Sequence, residues 1–541
     1  MKENKNWKKL LWPLSVVGML GVVYLTESAG ITTIRDRNYG MVLDYTLEGR
    51  RGLPSKEERI YGVSQIWKKA SDHFAGWELA DQEVTWDEAY EIACEEAANA
   101  RNSLEYFRAL ECFLAHLNSG NSENVGGPNL SAGFGFLPFQ LSFCSQEFVV
   151  TETMDPNVYP IGTVVETING LETGMYLEEM LGNTSGHRTP GAREFTLAQN
   201  LRYGNVGEKL KLEIRRPGEA ELVCVTAKWE KRNGFAPDQS EQLELYTEGE
   251  VIYHSTAFDV IQMDGNIACF RMKSEMDMAC LDTYFEEVAP MLAQCDGVIL
   301  DWRYNEAGNS LIGHTIIESF FGEEIPYCES APATMKISNY VNEYGAWNYW
   351  RTALENGTVP MYESLFEQLN EEMNDEISAM IEFGEEMHYG RFVAGEEIEA
   401  LVEERWNEQY PNVQFVGEMN PYKAQVENCQ LKGMPVVMIV NKLQGGSSDS
   451  TAAEAKAAGM TLVGTGTMGA TGTLMMIDLG AGWMTAISTQ RALTPEEIDI
   501  TNNGVEAQVQ VDLTAEDIAN GHDSQMEKAV EVVKTMVSEN Q

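Results

Sequence analysis

From Glu57 to about Asn118 apolar residues recur every three to four positions, the spacing of amphipathic helices. ERIYGVSQIWKKASDHF places Ile60, Val63, Ile66 and Trp67 on one face, and WDEAYEIACEEAANA and SLEYFRALECFLAHL repeat the pattern. Thr85, ahead of Trp86, Asp87 and Glu88, predicts a helix start. SGNSENVGGPN, from Ser119 to Asn129, then breaks the pattern with turn formers. Between residues 132 and about 230 the period changes. FLPFQLSF and EFVVTETM read as strands, GTVVETING as a strand entering an Asn169-Gly170 turn, and Glu194 to Tyr203 as a helix. KLKLEIRRPG and ELVCVTAKW alternate around Pro217-Gly218, a hairpin signal. This succession predicts a small, partly open β-barrel.

From about Glu244 strands alternate with helices. IACFRMK, GVILDW with Asp301, MPVVMIV, MTLVGTG and EAQVQVDL read as strands, and DTYFEEVAPMLAQC as a helix. Wholly apolar strands separated by helices predict a sheet covered on both faces. The fold class expected is therefore α/β within a multidomain α+β chain. Its parts are a segment at 1–30, a helical region at 31–128, the barrel at 129–235 and an α/β core at 244–541. A very acidic helical stretch at about 363–408 (EEMNDEISAMIEFGEEM) reads as an insertion with a solvated face, or as a lid.

Charge narrows the function classes. The 38 basic and 84 acidic side chains of the 541-residue chain give −46, a field that repels phosphate backbones and argues against a nucleic-acid partner. At the N-terminus Lys2, Lys5, Lys8 and Lys9 precede an apolar run from Leu10 to Leu25. The run is shorter than the roughly 20 residues of a membrane span and long for a signal-peptide core. A signal peptide and an uncleaved anchor both place the remainder outside the cytoplasm, and a buried helix is the bland alternative. Nine scattered cysteines without CxxC, and seven dispersed histidines without HExxH, suggest neither a disulfide framework nor a metal site. No cofactor is expected.

The order of helical region, small barrel and α/β core resembles the tail-specific, or C-terminal-processing, serine peptidases, and their tricorn-like branch most closely. ERIYGVSQIWKKASDHFAGW resembles that branch's opening helix, and Phe136 to Gly170, with GTVVETINGLET, its PDZ-like module. DWRYNEAGNS (Asp301 to Ser310) resembles the family's D-L-R-x-N-x-G-G turn, and Gly464 to Thr514 follows the branch's C-terminal segment. The resemblance implies a core of the ClpP/crotonase-like type and extracytoplasmic cleavage of peptides read from a C-terminus. The PDZ-like module would add the peptide as an extra strand.

Chemistry would need a serine, a base and paired N–H donors for an oxyanion. The family nucleophile stands in a T-x-S-A-(S/A)-E turn after an apolar strand; here MPVVMIV leads into NKLQGGSSD. Matching Asp449 to the family glutamate puts Gly446 at the nucleophile position, with Ser447 and Ser448 one and two residues late. A gap of one residue would instead make Ser447 the nucleophile. The branch's D-G-H-T histidine falls on Asn121 in Ser119-Gly120-Asn121-Ser122, and an amide is no general base near neutral pH. The lysine of the other branch is missing from Met468-Gly469-Ala470-Thr471-Gly472. His116, one turn earlier, is either a substitute base or part of the apolar FLAHL stripe. Gly308 matches the oxyanion glycine and Asn305 the asparagine that shapes its turn, with the Ser447 amide as second donor if Gly446 holds the nucleophile position. Three readings stay open: a degenerate peptidase that binds peptide or protein C-termini, an active serine peptidase using Ser447 or Ser448, and a scaffold in which only the PDZ-like module works.

Overall fold

The computed structural model describes residues 53–539, except 78, 128–133, 187, 232–239, 306–307, 323–324, 327, 331–334, 337–391, 394–421, 473, 490 and 495–497. The N-terminal apolar run lies outside the described residues, as does the acidic stretch 363–408 apart from a two-residue strand at Phe392–Val393. Among the described residues no helix is long and apolar enough to cross a membrane.

Three helices open the fold: α1 (Lys56–His73), α2 (Trp86–Asn99) and α3 (Ser103–Ala115). Capping boxes start the first two, Ser55 with Glu58 and Thr85 with Glu88, so the start expected at Thr85 is where the helix begins. Their buried stripe of Val63, Ile66, Tyr106, Leu110 and Phe113 does not close on itself. It packs on Ile477, Leu479, Trp483 and Ile487, more than 360 residues further along the chain. The Ser119–Asn129 stretch, expected as turns alone, contains the strand β1 (Glu123–Gly126). Local propensity there is poor, but pairing with a distant strand overrides it.

The small barrel follows. β2 (Phe139–Cys144), β3 (Glu147–Thr153), β4 (Val164–Ile168), β5 (Lys209–Arg215) and β6 (Leu222–Lys228) form one antiparallel sheet. Two helices cover it, α4 (Thr173–Leu181) and α5 (Ala192–Asn200). The second was expected. The first was missed because its apolar spacing (Tyr176, Leu177, Leu181) begins only six residues past Gly170 of the Asn169-Gly170 turn.

The core is a seven-stranded sheet ordered β7-β8-β9-β10-β11-β12-β15. Its members are β7 (Glu250–His254), β8 (Phe258–Met263), β9 (Ile267–Met272), β10 (Gly297–Asp301), β11 (Val436–Val440), β12 (Thr461–Gly464) and, after the hairpin β13 (Leu474–Gly480) and β14 (Trp483–Ser488), β15 (Val509–Gln510). From β9 to β15 all neighbours are parallel. β14 pairs with β1, which joins the helical region to the core. The strands are apolar throughout because both faces are covered. On one side lie the helical segment α6 (280–292), α7 (Ser310–Phe321) and α8 (Ser447–Ala457); on the other lies α9 (Ser524–Glu539). α6 contains a π-turn at Tyr284–Val288.

Candidate active site

Parallel strands deliver their C-terminal ends to one edge, where loops rather than ladders carry the backbone and ligands bind in sheets of this kind. Four such ends meet here: Lys273–Ala279 after β9, Trp302–Asn309 after β10, Asn441–Gly446 after β11, and Thr465–Gly472 after β12. The loop after β10 starts on a buried ion pair. Asp301 and Arg303 are buried and paired, and Arg303 also holds Asp523 at 2.7 Å. Burial alone would raise the Asp301 pKa; Arg303 and then Arg271 outweigh it and hold the carboxyl below its ordinary range. Gly308 then runs beside Glu275 at φ 153, where a Cβ would lie 2.1 Å from the Glu275 backbone. Only glycine fits, and the Asn309 N–H donates to the Glu275 carbonyl at 2.8 Å.

Glu275 is the side chain that joins these loops, and it is fully buried. Its carboxylate accepts from Ser447 Oγ at 2.5 Å, Asn305 Nδ2 at 2.8 Å and Trp302 Nε1 at 3.0 Å. Asn305 Nδ2 also donates to Ser448 Oγ at 2.7 Å. The close approach of α7 and α8 around this cluster requires Gly313, where a Cβ would come within 2.6 Å of Glu275 Oε1. Burial pushes the Glu275 pKa up to about 7, against the three donors that favour the anion.

Gly446 precedes α8 at φ 63, ψ −131, its N–H donating to Ala470 O at 3.1 Å. A strand-to-helix corner with this backbone favours glycine and would lift a side chain clear of the sheet. A Cβ built on Gly446 would meet nothing within 4 Å. The two serines after it point elsewhere: both are buried, one bonded to Glu275 and the other to Asn305. Asp449 braces the facing loop, accepting from the N–H groups of Gly469 at 3.0 Å and Ala470 at 2.8 Å.

The position expected to hold a base packs against the same loop. Asn121 is buried and its Nδ2 donates to Gly472 O at 2.9 Å, while a Cβ on Gly120 would come within 2.1 Å of Gly469 O. Sequence reasoning therefore placed Gly446, Ser447, Ser448, Asn121, Asn305 and Gly308 on loops that meet. His116 is not among them: it ends α3 and pairs with Asp81 at 2.9 Å. Among the described residues the N–H groups of Gly308 and Ser447 have no hydrogen-bond partner, as an oxyanion pair requires. Glu275 was missed. It lies 172 positions from Ser447, and nothing local in KSEMDM marks it.

No cluster of three metal-ligating side chains occurs among the described residues. The nine cysteines are free.

Fold and loops together are similar to those of serine peptidases. Residues 266–511 match the model of Peptidase family S41. The crystal structure of mature CPAF aligns at 15% identity with a TM-score of 0.60, over 90% of this chain and 98% of that one. Mature CPAF complexed with lactacystin aligns at 15% identity and a TM-score of 0.58, over 90% and 99%. At such identity the likeness establishes the fold, which extends through the helical region and barrel. The photosystem II D1 C-terminal processing protease covers 88% of this chain at 13% identity and a TM-score of 0.39, too low to add to the assignment. No curated protein sequence matches the chain at a significant level.

Proposed function

We propose that this chain binds peptide or protein C-termini in the S41 groove without cleaving them. The observation that carries the reading is Gly446, which occupies the strained corner with open space where a nucleophile would project. Ser447 and Ser448 face inward, and Asn121 cannot accept a serine proton. What remains at the corner is a helix start with two bare amides, a setting that favours a carboxylate. The small barrel, read as the PDZ-like module, contributes less: on its β2 edge the Leu141 carbonyl already accepts from Gln199 Nε2 of α5 at 2.7 Å. The lysine-flanked run Leu10–Leu25 supports an extracytoplasmic location, as signal peptide or anchor.

A second reading rests on the Ser447–Glu275 contact: a carboxylate 2.5 Å from a hydroxyl is placed to take its proton. A serine-directed phosphonate probe read by intact mass separates the two. Non-cleaving binding expects no adduct; an adduct abolished in Ser447→Ala establishes the active reading. Binding itself is tested with the full chain by fluorescence polarisation, using a labelled octapeptide pool random in its last four residues. Gly446→Asp, which adds a charge at the corner, is expected to weaken binding at least tenfold relative to Gly446→Asn. Equal affinities would remove the corner from the binding site.

A further inference from the structure

The proposed carboxylate site has an acid built into its wall. Glu275 touches both sides of it: its backbone abuts Gly308, and its carboxylate bonds the side chain of Ser447, the two residues with bare amides. The amides cannot change, but the charge beside them can. We propose that Glu275 gates this site by charge, so that a peptide C-terminal carboxylate enters together with one proton taken from solvent onto Glu275. The inference rests on the binding reading above and adds its proton stoichiometry and the residue responsible.

The physics is that of two carboxylates sharing a poorly hydrated space, where both cannot easily be ionised. With the ligand absent, three donors hold the Glu275 anion. When the ligand arrives, a proton on Oε2 removes the repulsion and reverses the short bond. The Glu275 O–H then donates to Ser447 Oγ, and the serine hydroxyl proton turns to another acceptor. Burial keeps Glu275 protonatable near neutrality, up to about 7 in the free protein.

On α7 the cation is the His314 imidazolium, which is paired with Glu318 and Glu454. From the loop after β10, Trp302 and Asn305 face Glu275 and are uncharged. From α7 it meets Gly313, and from α8 Ser447 and Thr451. The charge felt from α8 is that of Glu454, which adds to the proton affinity and is itself paired with His314 at 3.0 Å. Cys280 of α6 feels the Glu275 charge as well, and burial keeps its thiol protonated.

The test uses the same fluorescent octapeptide pool, with free C-terminal carboxylates or with amides, titrated against the full chain from pH 6 to 9. Affinity for the free-carboxylate pool is expected to fall about tenfold per pH unit above pH 7, the limit for one linked proton. In Glu275→Gln it should be flat and, at pH 8.5, at least tenfold tighter than in the parent. Calorimetry of the unaltered protein in two buffers of different ionisation enthalpy should show uptake approaching one proton at pH 8, which needs no variant to fold. A flat profile in the parent, or a slope that survives in Glu275→Gln, overturns the gate while leaving binding intact. Absence of binding by either pool at every pH overturns the binding reading itself.

Discussion

Ser447 Oγ and Glu275 Oε2 lie 2.5 Å apart, buried together at the junction of three loops. The contact accounts for a serine that follows an open corner yet does not occupy it. It also makes Glu275 a determinant of stability.

An acid whose folded pKa exceeds its unfolded value binds its proton more tightly when folded. The stabilisation is full below the unfolded value and lost as pH rises through the folded one. For Glu275 that window runs from 4.5 to about 7, and the loss is on the order of 3 kcal/mol. Urea unfolding at pH 5 and pH 8 should show this decline in the parent and a shallower one in Glu275→Gln. Parallel declines would remove Glu275 as its source.

His314 gives the same sign in a higher window. Burial disfavours its charge, but Glu318 at 3.2 Å and Glu454 at 3.0 Å outweigh burial and raise its pKa to about 9. The contribution is present below 6.5 and disappears as pH climbs through 9. His314→Gln leaves two buried glutamates facing each other and should cost about 3–5 kcal/mol at pH 7. A loss below 1 kcal/mol in chemical denaturation would mean that the triad is not charged.

Gly446→Ser puts a hydroxyl into the open space at the corner, beside the bare Ser447 amide. It should acquire slow phosphonate labelling, mapped by digestion to residue 446, without measurable turnover of peptides because Asn121 supplies no base. Labelling that maps to residue 447 instead would show that the corner does not present its side chain to the groove.

Asp449→Asn retains one acceptor oxygen for the two amides of the facing loop. Loss of the charge-assisted pair should cost about 1–3 kcal/mol and accelerate hydrogen exchange at Gly469 and Ala470. Unchanged exchange would mean that the loop is held by its other contacts.

Much of the fold could be read from periodicity, since parallel strands buried on both faces leave apolar runs such as VVMIV that little else produces. β1 could not: Glu123–Gly126 becomes a strand only because Met484–Ala486 lies alongside. The same limit applies at the site. Gly446, Asn305 and Gly308 are conspicuous as turn residues at strand ends, and a family resemblance assigns them roles. The inward turn of both serines depends on Glu275 and Asn305, partners 172 and 143 positions away. Such distances erase any local signature, so one serine-rich turn is compatible with a nucleophile and with a buried hydroxyl.

The Arg303–Asp523 pair carries a consequence for biosynthesis. The loop that positions Asn305 and Gly308 contains a buried guanidinium whose second carboxylate arrives 220 residues later. Until Asp523 has left the ribosome that guanidinium has only Asp301, which it shares with Arg271, and α9 is not yet there to cover its face of the sheet. The nascent chain can complete its barrel early, whereas the opening helices wait for Ile477–Ile487 and the two bare amides acquire their final setting only after synthesis has passed the site by some 75 residues, from Ser447 to Asp523. Truncations just short of Asp523 should therefore yield a folded barrel beside an unfinished groove.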